Sequence, residues 1–265
     1  MQEPEDAGGA AGGGSGGGGS GGGGRVGVRG GGERAPACAQ DRAAPAPPLS
    51  GSIVVRLLAF DFVSLEVPED LTAKVCPAGD LGCTNSLVVG VRPQADGMLE
   101  FDLPVGFDGY FELESPSTVT MWVFSNRPLQ TSTVLPSVVM LTPETLLTIA
   151  QSGGEPEMDS TRGLVLIDVR DCDGAAAPGV SLEHEAVRGA SAFYFQGTFP
   201  DRQLSATVFN DNLDPSGAER ALGGFSDTEQ GYATFVGKKD GTEFGRVTAT
   251  VLPPALSYVF LYQGH

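Results

Sequence analysis

The sequence predicts an all-β protein with two tandem Greek-key-type β-sandwich domains, one short helix between them, and a disordered Gly-rich tail before them. Two observations predict this class. Short stretches that alternate apolar and polar residues recur along the chain, with turn residues between them at intervals of about ten residues. The pattern changes to helix-start chemistry at residues 142–144. We therefore expect domains at 51–154 and 163–265, preceded by a tether at 1–50.

The first 50 residues are predicted to be a disordered tether. The chain contains 39 glycines and 19 prolines, and many of the glycines fall between Gly8 and Gly32. Such a segment buries too little apolar surface to offset the conformational entropy that it would lose on ordering. Four arginines precede an Ala-Pro-Ala-Pro-Pro run at 44–48: Arg25, Arg29, Arg34 and Arg42. We interpret the stretch as a spacer, with contact to RNA or an acidic surface as the alternative.

The first predicted domain consists of short strands. Its clearest alternation places Leu99, Phe101 and Leu103 against Glu100 and Asp102. This pattern predicts a strand with one buried and one solvated face. Similar stretches predict further strands at 53–58, 71–76, 87–91, 111–114, 118–125 and 137–141.

A short helix is predicted at about residues 143–151, at the end of the first domain. Thr142 suits the N-cap, Pro143 the first helical position and Glu144 the first turn. Apolar residues follow, and a Gly-Gly pair then ends the helix.

The second predicted domain opens and closes with hairpins. Residues 163–170 and 180–183 both alternate with a period of two, and Gly-containing turns lie between them. Residues 247–251 and 258–262 repeat this arrangement around Pro253-Pro254. We therefore expect the strands of each pair to lie side by side.

The turn pattern of the second domain resembles that of carboxypeptidase regulatory-like domains, which are prealbumin (transthyretin)-like β-sandwiches. The matching elements are Gly163-x-Val165, Asp173-Gly174, Pro178-Gly179-Val180 and a strand led by Gly231. These motifs are turn-forming sequences. The resemblance therefore implies a sandwich fold and no particular activity.

The first domain resembles the later half of the same pattern. Its matching stretches are Gly97 to Leu103 and Gly109-Tyr110-Phe111. The pairing of a cysteine-bearing first domain with this second domain looks like tandem domains in predicted secreted or lipoprotein-type proteins of myxobacteria. The resemblance covers about residues 51–262, and Cys172 departs from the family pattern.

Charge and hydropathy limit the possible partners. The formal net charge is −17 and the sequence pI is about 4.3, so a nucleic-acid partner is not expected, because such binding requires clustered Lys and Arg. No apolar run is long enough for a transmembrane helix, and no signal peptide is visible after Met1. We nevertheless expect an extracytoplasmic protein, secreted or tethered to an outer membrane, with a possible lipid anchor upstream of the recorded start.

Four cysteines are present: Cys38, Cys76, Cys83 and Cys172. Cys76 and Cys83 bracket a loop containing Pro and Gly, which predicts a local disulfide between them. The pairing of Cys38 and Cys172 stays open. Disulfide formation implies an oxidising compartment, and four reduced structural thiols are the alternative.

The sequence predicts neither a catalytic site nor a cofactor. A hydrolase triad needs a histidine base, and the histidines are His184, interpreted as an exposed strand residue, and His265 at the last position. There is no Cys-x-x-Cys pair for zinc. Asp211, Asn212 and Asp214 are a weak candidate for an irregular calcium loop, since they lack the EF-hand glycine and glutamate.

We therefore expect a non-enzymatic extracytoplasmic interaction or structural module of a bacterial surface or secreted protein. Its partner would be a protein or a surface polysaccharide, contacted by loops such as 76–83 and 210–224. The alternative is a pair of carbohydrate-binding modules with Trp122 and Tyr194 as stacking residues. That alternative requires both aromatic rings to be exposed.

Overall fold

The computed structural model describes residues 51–152, 161–186, 192–196, 199–201, 207–208, 212–213, 215 and 217–264. The predicted tether at 1–50 and His265 lie outside this part of the chain. So do residues 210, 211, 214 and 216 of the predicted contact loop at 210–224.

Strands form most of the described chain, and the predicted all-β class with one short helix is confirmed. The elements before and including the helix are β1 (Ser52–Asp61), β2 (Thr72–Pro77), β3 (Val88–Val91), β4 (Met98–Pro104), β5 (Gly109–Glu114), β6 (Met121–Phe124), β7 (Thr133–Val134), β8 (Val138–Met140) and α1 (Pro143–Ser152). After the helix follow β9 (Arg162–Arg170), β10 (Ser181–His184), β11 (Phe193–Gln196), β12 (Phe199–Asp201), β13 (Asn212–Leu213), β14 (Glu219–Arg220), β15 (Leu222–Glu229), β16 (Gly231–Lys239), β17 (Thr242–Val251) and β18 (Leu256–Tyr262).

The start of α1 follows the predicted capping chemistry. The Oγ1 atom of Thr142 accepts a hydrogen bond from the backbone N–H of Thr145 at 3.1 Å. This bond satisfies one of the N–H groups that have no partner within the first turn. The helix buries Leu146, Ile149 and Ala150 against the neighbouring strands.

One large sheet passes through both halves of the chain. Its nine strands have the order β12-β11-β15-β9-β18-β6-β5-β2-β3. β18 pairs in parallel with β9 on one side and with β6 on the other. The last strand of the described chain therefore joins the two predicted domains, whose boundaries stay a prediction.

Two smaller sheets cover parts of the large sheet, and a separate core lies under each. The first core includes side chains from β1 and β4, and the second includes side chains from β10, β16 and β17. Successive residues of β9 belong alternately to the two cores. Leu164 and Leu166 lie in the first core, and Val165 and Ile167 lie in the second. Since successive strand residues point to opposite faces, the two cores lie on opposite sides of β9.

Neither predicted hairpin forms. β9 pairs with β15 and β18, whereas β10 pairs with β16 in another sheet. In the same way β17 pairs with β16, while β18 enters the large sheet. The connections at these two places therefore cross from one sheet to another, and the two sheets pack face to face.

Candidate binding groove beside Trp122

The predicted disulfide between Cys76 and Cys83 is confirmed, with the two Cα atoms 5.2 Å apart. The loop between them is organised by Asp80, which accepts hydrogen bonds from the Thr84 hydroxyl at 2.9 Å and from the backbone N–H of Asn85. These bonds, the one from Asn85 above all, lower the pKa of the Asp80 carboxyl. Cys172 is also disulfide-bonded, and its partner lies outside the described residues.

The disulfide packs against two aromatic rings on the outer face of the large sheet. Tyr110 is stacked on Trp122 with ring centroids 4.9 Å apart, and both belong to one buried cluster with the two cysteines. The Tyr110 hydroxyl donates a hydrogen bond to the Asp80 carbonyl oxygen. Burial raises the pKa of this hydroxyl to about 12. The disulfide loop and the aromatic pair therefore stabilise each other through these contacts.

Gly109 permits this arrangement at the start of β5. A Cβ atom at this position would lie 2.2 Å from the Cys76 carbonyl oxygen and 2.6 Å from the Phe107 ring. Any side chain would push β5 away from β2. The glycine before Tyr110 is thus required for the close approach of the two strands that carry the cluster.

A groove with a volume of about 570 Å³ lies beside Trp122. Most of its lining is apolar, and the β17–β18 connection and the first turns of α1 contribute to it. The lining residues are Glu112, Glu114, Val119, Thr120, Trp122, Pro143, Leu146, Arg162, Leu252, Pro253, Pro254 and Ala255. Grooves of this size and composition are typical of ligand sites.

Charged side chains border the groove. The Lys74 ammonium lies 2.6 Å from Glu112 Oε1 and 3.1 Å from Glu114 Oε2. The Glu112 side chain is nearly buried, and its hydrogen bond is the main cause of the raised pKa of Lys74. Arg162 lies 3.1 Å from Asp227 and 3.7 Å from Glu229. The groove therefore combines an apolar wall with an acidic rim.

The sequence patterns did not single out these rim residues. Glu112 faces Trp122 across β5 and β6, and Lys74 faces Glu112 across β2 and β5. An ion pair between a Lys and a Glu in two separate strands can be predicted only when the register between those strands is known.

The two predicted stacking residues do not form a common platform. Trp122 and Tyr194 are each 5% exposed, and they belong to different buried clusters. The Tyr194 hydroxyl accepts a hydrogen bond from the backbone N–H of Leu182 at 2.9 Å, inside the second core. Stacking on a sugar requires an open ring face, so Tyr194 is unsuited to it, and Trp122 only borders the groove.

His184 is half-buried, contrary to the expectation of an exposed strand residue. Its ring packs edge-on against Phe235 and Phe225, at centroid distances of 5.1 and 6.0 Å. Burial lowers the pKa of the imidazole. These contacts give His184 a packing role at the end of β10.

The sequence also gave no sign of a buried charged cluster at the end of β9. Asp168 Oδ2 lies 2.7 Å from Arg170 Nη2 and 3.7 Å from Arg220 Nη2. The Tyr258 hydroxyl donates to the same oxygen at 3.0 Å and accepts a hydrogen bond from Arg220. All four side chains are buried, so one carboxylate compensates two guanidinium groups inside the protein.

Metal-ligating groups come together at one place in the described residues. The sulfur atoms of Cys76 and Cys83 and a carboxylate oxygen of Glu112 lie within 4.8 Å of one another. Sulfur atoms joined in a disulfide do not act as thiolate ligands, so this group is not a metal site in its oxidised form. Of the predicted calcium residues, Asp211 and Asp214 and the side chain of Asn212 lie outside the described part.

No protein-family model and no curated protein matches the sequence. Among solved structures, the Bacillus anthracis TIE protein is similar over 80% of this chain and 34% of its own, with 9% identity and a TM-score of 0.27. The chain thus spans about a third of that protein's length. A Streptococcal ancillary pilin is similar over 80% of this chain and 69% of its own, with 10% identity and a TM-score of 0.22.

The shaft pilin SpaA from Lactobacillus rhamnosus GG is similar over 82% of this chain and 99% of its own, with 10% identity and a TM-score of 0.22. Likenesses of this strength assign neither a family nor an activity to the chain. Within the described residues, a helix with the length and apolarity needed to traverse a bilayer is absent.

Proposed function

We propose that this protein is a non-enzymatic interaction module that binds an extended segment of a partner protein in the groove beside Trp122. The observation that carries the proposal is the groove itself. It is about 570 Å³ in volume, largely apolar, and bordered by the carboxylates of Glu112 and Glu114. Apolar side chains of a partner would fill the wall, and its polar groups would meet the rim.

The lining favours a protein segment over a polysaccharide. Sugars need many hydrogen-bonding groups and an open aromatic face, whereas eight of the twelve lining residues are apolar and Trp122 is 5% exposed. Apolar and proline side chains of a peptide match such a surface better.

An extracytoplasmic location at a bacterial surface or in a secreted protein is part of the proposal. Its support is the Cys76–Cys83 disulfide, together with the bonded state of Cys172. Structural disulfides persist in oxidising compartments and are rare in the cytosol. The net charge of −17 would keep such a module soluble outside the cell.

The fluorescence of Trp122 provides the test, since it is the single tryptophan of the chain. We expect members of an extended-peptide library to shift its emission, and surface polysaccharides to leave it unchanged. Ala255→Arg, which places a long side chain in the groove, should weaken peptide binding by about tenfold or more.

Thr131→Arg is the matched control, because Thr131 is exposed and does not line the groove. It should leave peptide binding unchanged. Equal binding by both arginine variants, or a response to polysaccharide alone, would contradict the proposal.

A further inference from the structure

We infer that the groove beside Trp122 binds the segment Arg42–Pro48 of a second copy of this chain, an inference that rests on the proposed function. The segment reads Arg-Ala-Ala-Pro-Ala-Pro-Pro. It combines one basic side chain with closely spaced prolines. No other part of the sequence has this combination.

The proline run matches the apolar wall. Proline-rich segments readily adopt the extended polyproline II conformation, so they lose little entropy on binding. Grooves lined by aromatic and apolar side chains recognise such segments. Here the wall is formed by Trp122, Leu146 and Leu252 together with Pro253 and Pro254.

The charge of Arg42 matches the rim. Glu112, Glu114 and Arg162 line the groove, and their ion-pair partners beside it are Lys74, Asp227 and Glu229. This described group has four acidic and two basic side chains, so it carries an excess of negative charge. Glu114 is the more exposed acid of the Lys74 pair, at 43% of its side chain, and is the natural partner for an incoming guanidinium.

The length of the intervening chain excludes binding within one molecule. β1 begins at Ser52, and its other end pairs with β8, which leads directly into Pro143 at the groove. A strand of ten residues extends for about 30 Å. Only three residues lie between Pro48 and Ser52, and the four Cα–Cα steps that join them span at most about 14 Å. The segment in the groove must therefore come from another copy.

The resulting contact is head-to-tail. The groove and the segment are different parts of the chain, so each copy can donate its segment to one neighbour and accept that of another. Such heterologous contacts close into rings or continue as open chains.

The test titrates the full chain with a synthetic peptide of residues 40–50 while the fluorescence of Trp122 is recorded. The peptide contains no tryptophan, so the emission reports on the groove alone. We expect saturable binding, weakened about fivefold or more by Arg42→Glu in the peptide. Replacing the three prolines with alanine should weaken binding further.

A charge exchange tests the predicted contact. The Glu114→Arg chain should bind the Arg42→Glu peptide better than it binds the natural peptide. Failure of this exchange, when both chains remain folded by circular dichroism, would overturn the pairing of Arg42 with Glu114.

Sedimentation velocity of the full chain tests whether the contact forms between copies. Association should increase with concentration and should be reduced by Arg42→Glu, whereas Arg29→Glu, outside the proline run, should leave it unchanged. If other peptides shift the emission of Trp122 and this one does not, the second-copy inference fails and the proposed function stands. If no peptide shifts it, both fail.

Discussion

The two halves of the nine-stranded sheet differ in how their faces are covered. In the second half, β9 and β18 are buried on both faces, because one face meets the first core and the other meets the second. In the first half, β2, β5 and β6 turn one face to the first core and carry Lys74, Glu112 and Trp122 on the other. The doubly covered half supplies the stable interior. Among the described residues no second sheet covers the outer face of the first half, and this leaves room for the groove.

The largest effect is expected from breaking the buried charges of the doubly covered half. Asp168→Ala leaves the guanidinium groups of Arg170 and Arg220 buried without their carboxylate. Removal of one member of a buried ion pair costs about 3–5 kcal/mol, and the free energy of unfolding, measured in urea, should fall by that amount.

Asp102→Ala provides the comparison, since Asp102 is an exposed strand carboxylate. Its effect should stay within about 0.5 kcal/mol. Equal losses for the two variants would show that the Asp168 cluster does not stabilise the fold.

A smaller effect is expected from removing the Cys76–Cys83 disulfide of the singly covered half. The double variant Cys76→Ala, Cys83→Ala opens a short loop, and the free energy of unfolding should fall by about 2 kcal/mol. The emission of Trp122 should also change in the folded state, because its partner Tyr110 packs against the disulfide. An unchanged emission spectrum would show that the disulfide does not influence the surroundings of Trp122 in the groove.

The smallest effect is expected at alkaline pH. The pKa of Tyr110 is raised from 10.0 to about 12, mainly by burial, and the pKa of Lys74 is raised from 10.5, mainly by its hydrogen bond to Glu112. Both groups hold their protons more tightly in the folded chain than in the unfolded chain. Their contribution to stability is therefore complete below pH 10 and is lost as the pH rises toward 12.

Urea unfolding across that pH interval measures this loss. Tyr110→Phe should make the decline shallower, because the phenylalanine has no proton to lose. A decline of the same slope in both chains would assign the alkaline loss to other groups, such as the buried tyrosines Tyr194 and Tyr262 of the doubly covered half.

The sequence predicts those parts of the fold that depend on local patterns. Leu99, Phe101 and Leu103 are buried and Glu100 and Asp102 are exposed, as the alternation predicts. The N-cap of α1 and the Cys76–Cys83 disulfide were predicted for the same reason: the residues that form them are close in the sequence.

The rest depends on contacts between distant residues. Asp168 alternates with apolar neighbours, as it would on a solvated face, yet it is buried beside Arg220 and Tyr258. Nothing near residue 168 indicates that β18, some 90 residues later, will pair with β9. The groove was missed for the same reason, since Trp122, Arg162 and Leu252 meet only when the large sheet is assembled.

The central place of β18 has a consequence for biosynthesis. Its odd and even residues complete different cores, with Tyr258 and Phe260 in one and Val259 and Leu261 in the other. Until the nascent chain has emerged beyond Tyr262, both hydrophobic cores lack the side chains that β18 contributes. Neither half can therefore finish folding first as synthesis proceeds, and the molecule should acquire its structure in one late, cooperative step.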